Sequence, residues 1–331
     1  MKKSLINLIA AFIPNQTARR NFRARNTKTT PMEKYFSSNF CRSPGCFDLC
    51  KADWIQYEQD AIALKQNLSP RDTERLNTIL KRMENVALSG GVYKYTDVYS
   101  RDEMIKHKKM RSISHRVIKH DNCWEYNGFK LPKNIFEPSI FFDMYELDQL
   151  ATVDRINQNK DLAVLDVGAY IGDSALILRR FFPNNKIYAF EAITPLCETM
   201  RQTVALNNAD NIIPVNLALG DKTDKLKMKY GKISSVTDLI KLDDFVEQNN
   251  IKVGLIKTDI EGAEWGFLQG AINTIKTQRP TLIISIYHNY NDFFKIKPFI
   301  ESLNLGYKFS ITDSCYGQLP VHEITLNCWI D

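Results

Sequence analysis

Apolar positions fall in two rhythms along this chain, and the change between them divides it. Over residues 52–88 the spacing is helical. ADWIQYEQDAIALKQ is mixed, whereas LSPRDTERLNTILKRMENVAL has a clear start: Ser69 as a hydroxyl N-cap, Pro70 in the first turn and Asp72 three residues after the cap. Gly90 and Gly91 close that helix. From about residue 128 short apolar runs alternate with helical segments. LAVLDVG (162–168) reads as a buried strand, SALILRRFF as a helix, KIYAFE (186–191) as a strand, and TPLCETMRQTVALNN (194–208) as a helix with Thr194 as cap and Pro195 just inside. IIPVNLALGD, VTDLIKLDDFVEQN, VGLIKTDIEGAE, FLQGAINTIKT, TLIISIYHN, KPFIESLN, YKFSIT and ITLNCWI continue the alternation. Strands of this kind need cover on both faces, so the pattern predicts an α/β fold with a doubly wound, mostly parallel sheet and an N-terminal helical extension. The expected division is a basic apolar arm over 1–34, a largely helical accessory region over 35–127 and the main domain over 128–331.

Composition narrows the function classes. The longest apolar run near the N-terminus, Leu5 to Ile13, stops at Pro14, well short of the ~20 residues that span a bilayer. Residues 1–34 carry eight Lys and Arg against Glu33 alone, so the formal net charge of +6 resides in this arm and the remainder is close to neutral. Two readings stay open for the arm: a solvated tail, or contact with an anionic membrane at the inner face of the cytoplasmic membrane. Nucleic acid is not an expected partner, because no binding motif accompanies the charge. Seven scattered cysteines suit a reducing, cytoplasmic setting, and the C-x4-C-x3-C of Cys41, Cys46 and Cys50 matches no common metal spacing. RDEMIKHKKMRSISHRVIKH (101–120) holds seven Lys and Arg and three of the five histidines, a solvated face or a seat for a phosphate-bearing substrate.

In a doubly wound sheet the ligand sits beyond the carboxyl ends of the strands, at the turn after the first strand. Here that turn is Asp166-Val-Gly168-Ala169-Tyr-Ile-Gly172-Asp173-Ser174. A dinucleotide site requires G-x-G-x-x-G, and this loop has its glycines four apart, which weakens the pyrophosphate reading. Gly168, Ala169 and Gly172 instead leave room for an adenosine joined to an amino acid, whose carboxylate would meet the amides opening the helix at Asp173 and Ser174. S-adenosylmethionine has that shape. Glu191, followed by Ala192, ends the second strand, where an anion binds ribose hydroxyls strongly. Ala218 and Leu219 at the third strand's exit are placed to lie beside adenine.

The stretches IFEPSIFFDMYELDQL, LDVGAYIGDSALIL, IYAFEA, NIIPVNLALGD, KLDDFV, IKTDIEGAEWGFLQGA and PTLIISIYHN resemble the FkbM-type family of S-adenosylmethionine-dependent methyltransferases. The resemblance covers about residues 128–326 and implies a class I methyltransferase, Rossmann-like sheet. It also implies methylation of an oxygen, with polysaccharide biosynthesis in bacteria as a common setting and a glycan or other hydroxyl-bearing acceptor as partner. Two departures stand out: Ala169-Tyr170 where Ala-Asn is usual, and VHEITLNCW in place of a C-terminal Glu-Thr ending.

IKTDIEGAEW gathers three carboxylates at the end of the fourth strand. A hydroxyl is a poor nucleophile and needs a base as its bond to the methyl carbon forms, so Asp259 is expected as base or acceptor-orienting group and Glu261 as a group positioning the acceptor or a metal. Glu264 opens the next helix, where a carboxylate favours the positive end. His288, at the end of ISIYH, is the other candidate base. No metal ligands are assigned. The rival reading takes Asp259-Ile260-Glu261 as the D-x-D-like motif of a metal-dependent glycosyltransferase.

Overall fold

A computed structural model describes residues 54–88, 99–231, 233–314 and 322–331. The basic arm, Cys41, Cys46 and Cys50 lie outside the described residues. Among those described, no helix is long and apolar enough to cross a membrane.

Helices α1 (Trp54–Lys65) and α2 (Pro70–Leu88) come first among the described residues. The Asp72 amide donates to Ser69 Oγ at 3.1 Å, the cap expected from the sequence. Both helices pack into the core of the main domain. Tyr57 meets Phe294 edge-on at 5.6 Å, the buried Arg82 pairs with Asp313 at 2.5 Å, and the Asp72 carboxylate accepts the Ile311 amide at 3.1 Å. Helix α3 (Arg101–Arg111) opens with a capping box between Ser100 and Glu103 and leaves Lys108 and Lys109 in solvent. Its Lys106 pairs with Asp143 at 2.9 Å. Strands β1 (Ile118–Lys119), β2 (Trp124–Tyr126) and β3 (Phe129–Leu131) then form an antiparallel sheet that spans the change of pattern at residue 128.

After α4 (Thr152–Gln158) come β4 (Leu162–Val167), α5 (Asp173–Phe181), β5 (Ile187–Phe190), α6 (Thr194–Leu206) and β6 (Ile212–Val215). A side sheet is next, with β7 (Ala218–Leu219), β8 (Asp224–Tyr230) and β9 (Ile233–Ile240) in the order β7-β9-β8. The chain then returns through α7 (Leu242–Gln248), β10 (Lys252–Thr258), α8 (Glu264–Gly270), α9 (Ile272–Gln278), β11 (Thr281–Ser285), α10 (Tyr290–Ser302), β12 (Lys308–Asp313) and β13 (Ile324–Trp329).

The main sheet has seven strands in the order β12-β13-β11-β10-β4-β5-β6, parallel except for β13, which runs antiparallel to both neighbours. Alternate side chains feed opposite cores, as a strand's two-residue period requires: Ala163 and Leu165 face one, Val164 the other, and Ile256 and Leu255 divide the same way. From β4 the chain winds outward to β6 and then crosses to β10 on the far side of β4. The order therefore reverses between the tips of β4 and β10, and the crevice opens there.

Three expectations need correction. The third strand ends at Val215 instead of running on to Leu219, because Asn216 turns the chain by giving its amide to the carbonyls of Glu191 (2.8 Å) and Ala192 (3.2 Å). VTDLI lies in β9 and not in a helix; only Leu242–Gln248 of that stretch is helical. Thr194 is not the cap of α6, since the helix already includes it and its hydroxyl bonds Asn216 Oδ1 at 2.9 Å.

Candidate active site

The tip of β4 is held from below by a buried ion pair. Lys257 on β10 places Nζ 3.0 Å from Asp166 Oδ1 and donates to the Gly168 carbonyl at 3.2 Å, while Ser174 Oγ donates to Asp166 Oδ2 at 2.6 Å. Burial opposes the charge on Lys257, but Asp166 and Asp259 hold its pKa above the ordinary value. Asp166 is thus fully buried under the loop it was expected to open with. Above it, Gly168 has φ +79°, and a Cβ there would come to 1.9 Å from the Asp259 carbonyl oxygen. Only glycine permits that approach, which sets the loop directly against the DIEG turn. Gly168 and Ala169 both donate their amides to Phe190, and Gly172 (φ +89°) leads into α5, whose start has no side-chain cap. Asp173 and Ser174 are buried at this helix start, and burial raises the Asp173 carboxyl to about 7.

Glu191 stands just beyond β5, largely buried. Its carboxylate accepts the Ile193 amide at 2.7 Å, and burial outweighs that bond and one from Tyr170 to raise its pKa to about 7. Ala192 beside it is half-buried, and Ala218 and Leu219 lie buried in the side sheet, reached from Glu191 through the Asn216 turn.

Beyond β10 the chain turns sharply, with Glu261 at φ +56° and Gly262 at φ +99°. Glu264, fully buried, stabilises the turn by accepting the amides of Ile260 (2.8 Å) and Gly262 (2.9 Å). It therefore does more than favour the positive end of α8. His288, three residues past β11, brings the three carboxylates together: Nε2 is 3.4 Å from Asp259 and 3.8 Å from Glu261, and Nδ1 is 3.1 Å from Glu264. Burial disfavours the charged ring, yet these neighbours, Glu264 foremost, push its pKa up to about 9. His288 is an imidazolium at neutral pH, already holding the proton that a base would take up. Tyr287 links the corner to the last strand, its hydroxyl 3.3 Å from Asp259 Oδ1 and 3.4 Å from Glu323 Oε1. Burial and the charge of Asp259 raise Glu323 to about 8.

This arrangement brings Gly168, Glu191, Asp259 and His288 to one edge of the sheet. Residues 166–309 match the family model described as the methyltransferase FkbM domain. That stretch, a little under half of the chain, is similar to the FkbM methyltransferase domain. A crystal structure of methyltransferase FkbM from Methylobacillus flagellatus KT superposes with a TM-score of 0.53 at 18% identity, covering 83% of this chain. The chain spans 59% of that structure's length, and the likeness establishes the fold. "Methyltransferase 1" of Beauveria bassiana (strain ARSEF 2860) is 25% identical over 177 residues, 43% of this chain and 71% of that protein. The match to a methyltransferase model supports methyl transfer, not the glycosyltransferase reading of Asp259-Ile260-Glu261.

The cofactor of the FkbM domain is S-adenosylmethionine, and the residues present fit it. The start of α5 without a side-chain cap and the buried Glu191 carboxylate provide for its amino acid and ribose ends. Sequence reasoning missed Lys257, Tyr287, Asn216 and Glu323. Of these only Lys257 left a signal, a lone cation inside the apolar run VGLIK.

Proposed function

We propose that the protein transfers a methyl group to a hydroxyl, with a sugar of a cell-surface glycan or its precursor as acceptor. The single observation that carries this reading is the contact of the Gly168 loop with the Asp259 turn, which puts a carboxylate beside the place where the methyl donor would sit. S-adenosylmethionine supplies an electrophilic methyl group. Asp259 lies half-buried beside that position and accepts the acceptor's proton as the oxygen attacks. Tyr287 orients Asp259 through its hydroxyl, and His288, already protonated, offsets the negative charge around it. Next to Glu323 lies a recess lined by Ser139, Asp143, Tyr145, Glu146, Thr312, Ser314 and Thr325. Hydroxyl and carboxylate groups in that density suit a polyhydroxylated acceptor better than an apolar one.

Incubation with radiolabelled S-adenosylmethionine and fractionated glycans tests the reading. Label is expected in an alkali-stable ether on a sugar, and Asp259→Asn is expected to lower kcat by about 10²–10⁴-fold with cofactor affinity intact, the range of a lost general base. Wild-type turnover by Asp259→Asn would remove Asp259 from the chemistry, and label found only on nitrogen would overturn the hydroxyl assignment.

A further inference from the structure

Met144, Tyr145 and Glu146, three consecutive residues with no glycine among them, take left-handed backbone at φ +48°, +58° and +50°. Their Cβ atoms oppose that conformation, and a run of three persists only where the surroundings impose it. Both flanks do so. Asp143 is paired with Lys106 of α3 at 2.9 Å, and the Glu146 carboxylate accepts two bonds from the Arg75 guanidinium of α2, at 3.2 and 3.3 Å. The residue held between these clamps is Tyr145, which is only 9% exposed, and its hydroxyl makes no hydrogen bond. A strained turn and a buried hydroxyl without a partner are two independent costs at one residue, and neither stabilises the fold.

The position of Tyr145 points to what engages it. Its ring centroid lies 5.9 Å from Nζ of Lys257, the cation that bonds the Gly168 carbonyl, and the residue lines the recess beside Glu323. Tyr145 therefore stands between the glycine loop and the acidic side of the crevice. Burial, then the charges of Asp166, Asp259, Asp173 and Glu323, raise its pKa well above the ordinary value, so the group is a neutral phenol with lone pairs to offer. Asp173 and Glu323 are themselves raised by burial to about 7 and 8, which leaves this circle of carboxyl groups short of positive charge. In S-adenosylmethionine the sulfonium joins the methionine part to the ribose. With those two parts directed to the start of α5 and to Glu191, the charged methyl group is left to face the acidic turn, the side on which Tyr145 stands. We propose that the Tyr145 hydroxyl oxygen contacts the methyl-bearing sulfonium of S-adenosylmethionine, and that the left-handed turn holds it in place for that contact. An oxygen lone pair attracts the polarised C–H bonds of a charged methyl group, and the attraction is lost once the methyl has left and sulfur is neutral. Tyr145 thereby favours the loaded donor over its spent form, S-adenosylhomocysteine. The inference rests on the cofactor and not on the acceptor.

Calorimetry on the full chain and on Tyr145→Phe, with S-adenosylmethionine and S-adenosylhomocysteine in turn, tests the contact without any acceptor. The variant is expected to bind S-adenosylmethionine about three- to tenfold more weakly than the wild type and S-adenosylhomocysteine within about twofold of it, the range of one lost hydrogen bond. Phenylalanine keeps the ring and removes a hydroxyl that no protein group engages, so the melting temperature is expected to stay level or rise, whereas loss of a structural bond lowers it. Equal weakening of both ligands, or weakening of neither, overturns the sulfonium contact. A lowered melting temperature overturns the premise that the hydroxyl has no partner in the protein. Because no acceptor enters these measurements, a negative result leaves the O-methyl reading standing, and transfer of label to nitrogen alone leaves the Tyr145 contact standing.

Discussion

Lys257 and Asp166 face each other across adjacent parallel strands, paired in register at 3.0 Å, with 2% and 0% of their side chains exposed. The ion pair ties the glycine loop to the strand that carries the acidic turn, because the same ammonium also reaches the Gly168 carbonyl. Removing one partner leaves a buried charge uncompensated. Lys257→Met is therefore expected to destabilise the fold by about 3–5 kcal/mol, measured by urea denaturation. A loss below about 1 kcal/mol would show that Asp166 finds another partner.

Gly168→Ala would drive a methyl group into the Asp259 carbonyl. Neither side of that contact is a flexible side-chain end, so loop and turn must separate. Cofactor affinity should fall at least about tenfold by calorimetry, with the melting temperature lowered as well. Unchanged affinity would mean that the loop does not border the cofactor.

Glu191 titrates near 7 in the free protein because burial disfavours its anion. If it accepts the ribose hydroxyls, affinity for S-adenosylhomocysteine should rise as pH is raised from 6 to 8, and Glu191→Gln should bind weakly with a flat profile. A flat wild-type profile would count against the ribose contact.

Stability should fall with rising pH across the neutral range. His288 has its pKa raised from 6.5 to about 9, so its contribution is complete below about 6.5 and lost as pH climbs through 9. Glu137, Glu191 and Glu323 are carboxylates raised from 4.5 to about 7, 7 and 8. Burial is the main cause, and in the folded state they hold protons that the unfolded chain has already released. Both kinds of group act in one direction. The melting temperature is expected to drop by roughly 5–10 °C between pH 6 and pH 9, read by differential scanning calorimetry, and a rise over that window would contradict the assigned environments.

The parts of the molecule legible in the sequence are those where local pattern and global fold agree. The buried strands, the glycine turn, Glu191 at a strand end and the acidic turn all came from runs and spacings in one stretch of chain. The side sheet did not, although Leu226, Met228 and Tyr230 alternate with lysines in the two-residue period of a strand. The expectation of a helix between every pair of strands overrode that signal. Tyr287 and Glu323 were missed for a different reason. They are 36 residues apart and meet only because β13 inserts between β11 and β12, a topology that no local pattern encodes. His288 was placed at the right edge, but its charge state depends on three carboxylates, and only their distances to the ring reveal it.

The docking of α2 has a practical outcome. β12 is the outermost strand of the main sheet, and on its open side Asp72 takes the Ile311 amide while Arg75 takes the Ile311 carbonyl. An uncovered border of that kind recruits strands from other molecules. A version trimmed to begin near residue 128 would bare it, and such a fragment is expected to self-associate in size-exclusion chromatography where the full chain does not. The leading helices thus serve as a guard rail against polymerisation, and shortening the protein to its catalytic half carries a solubility penalty.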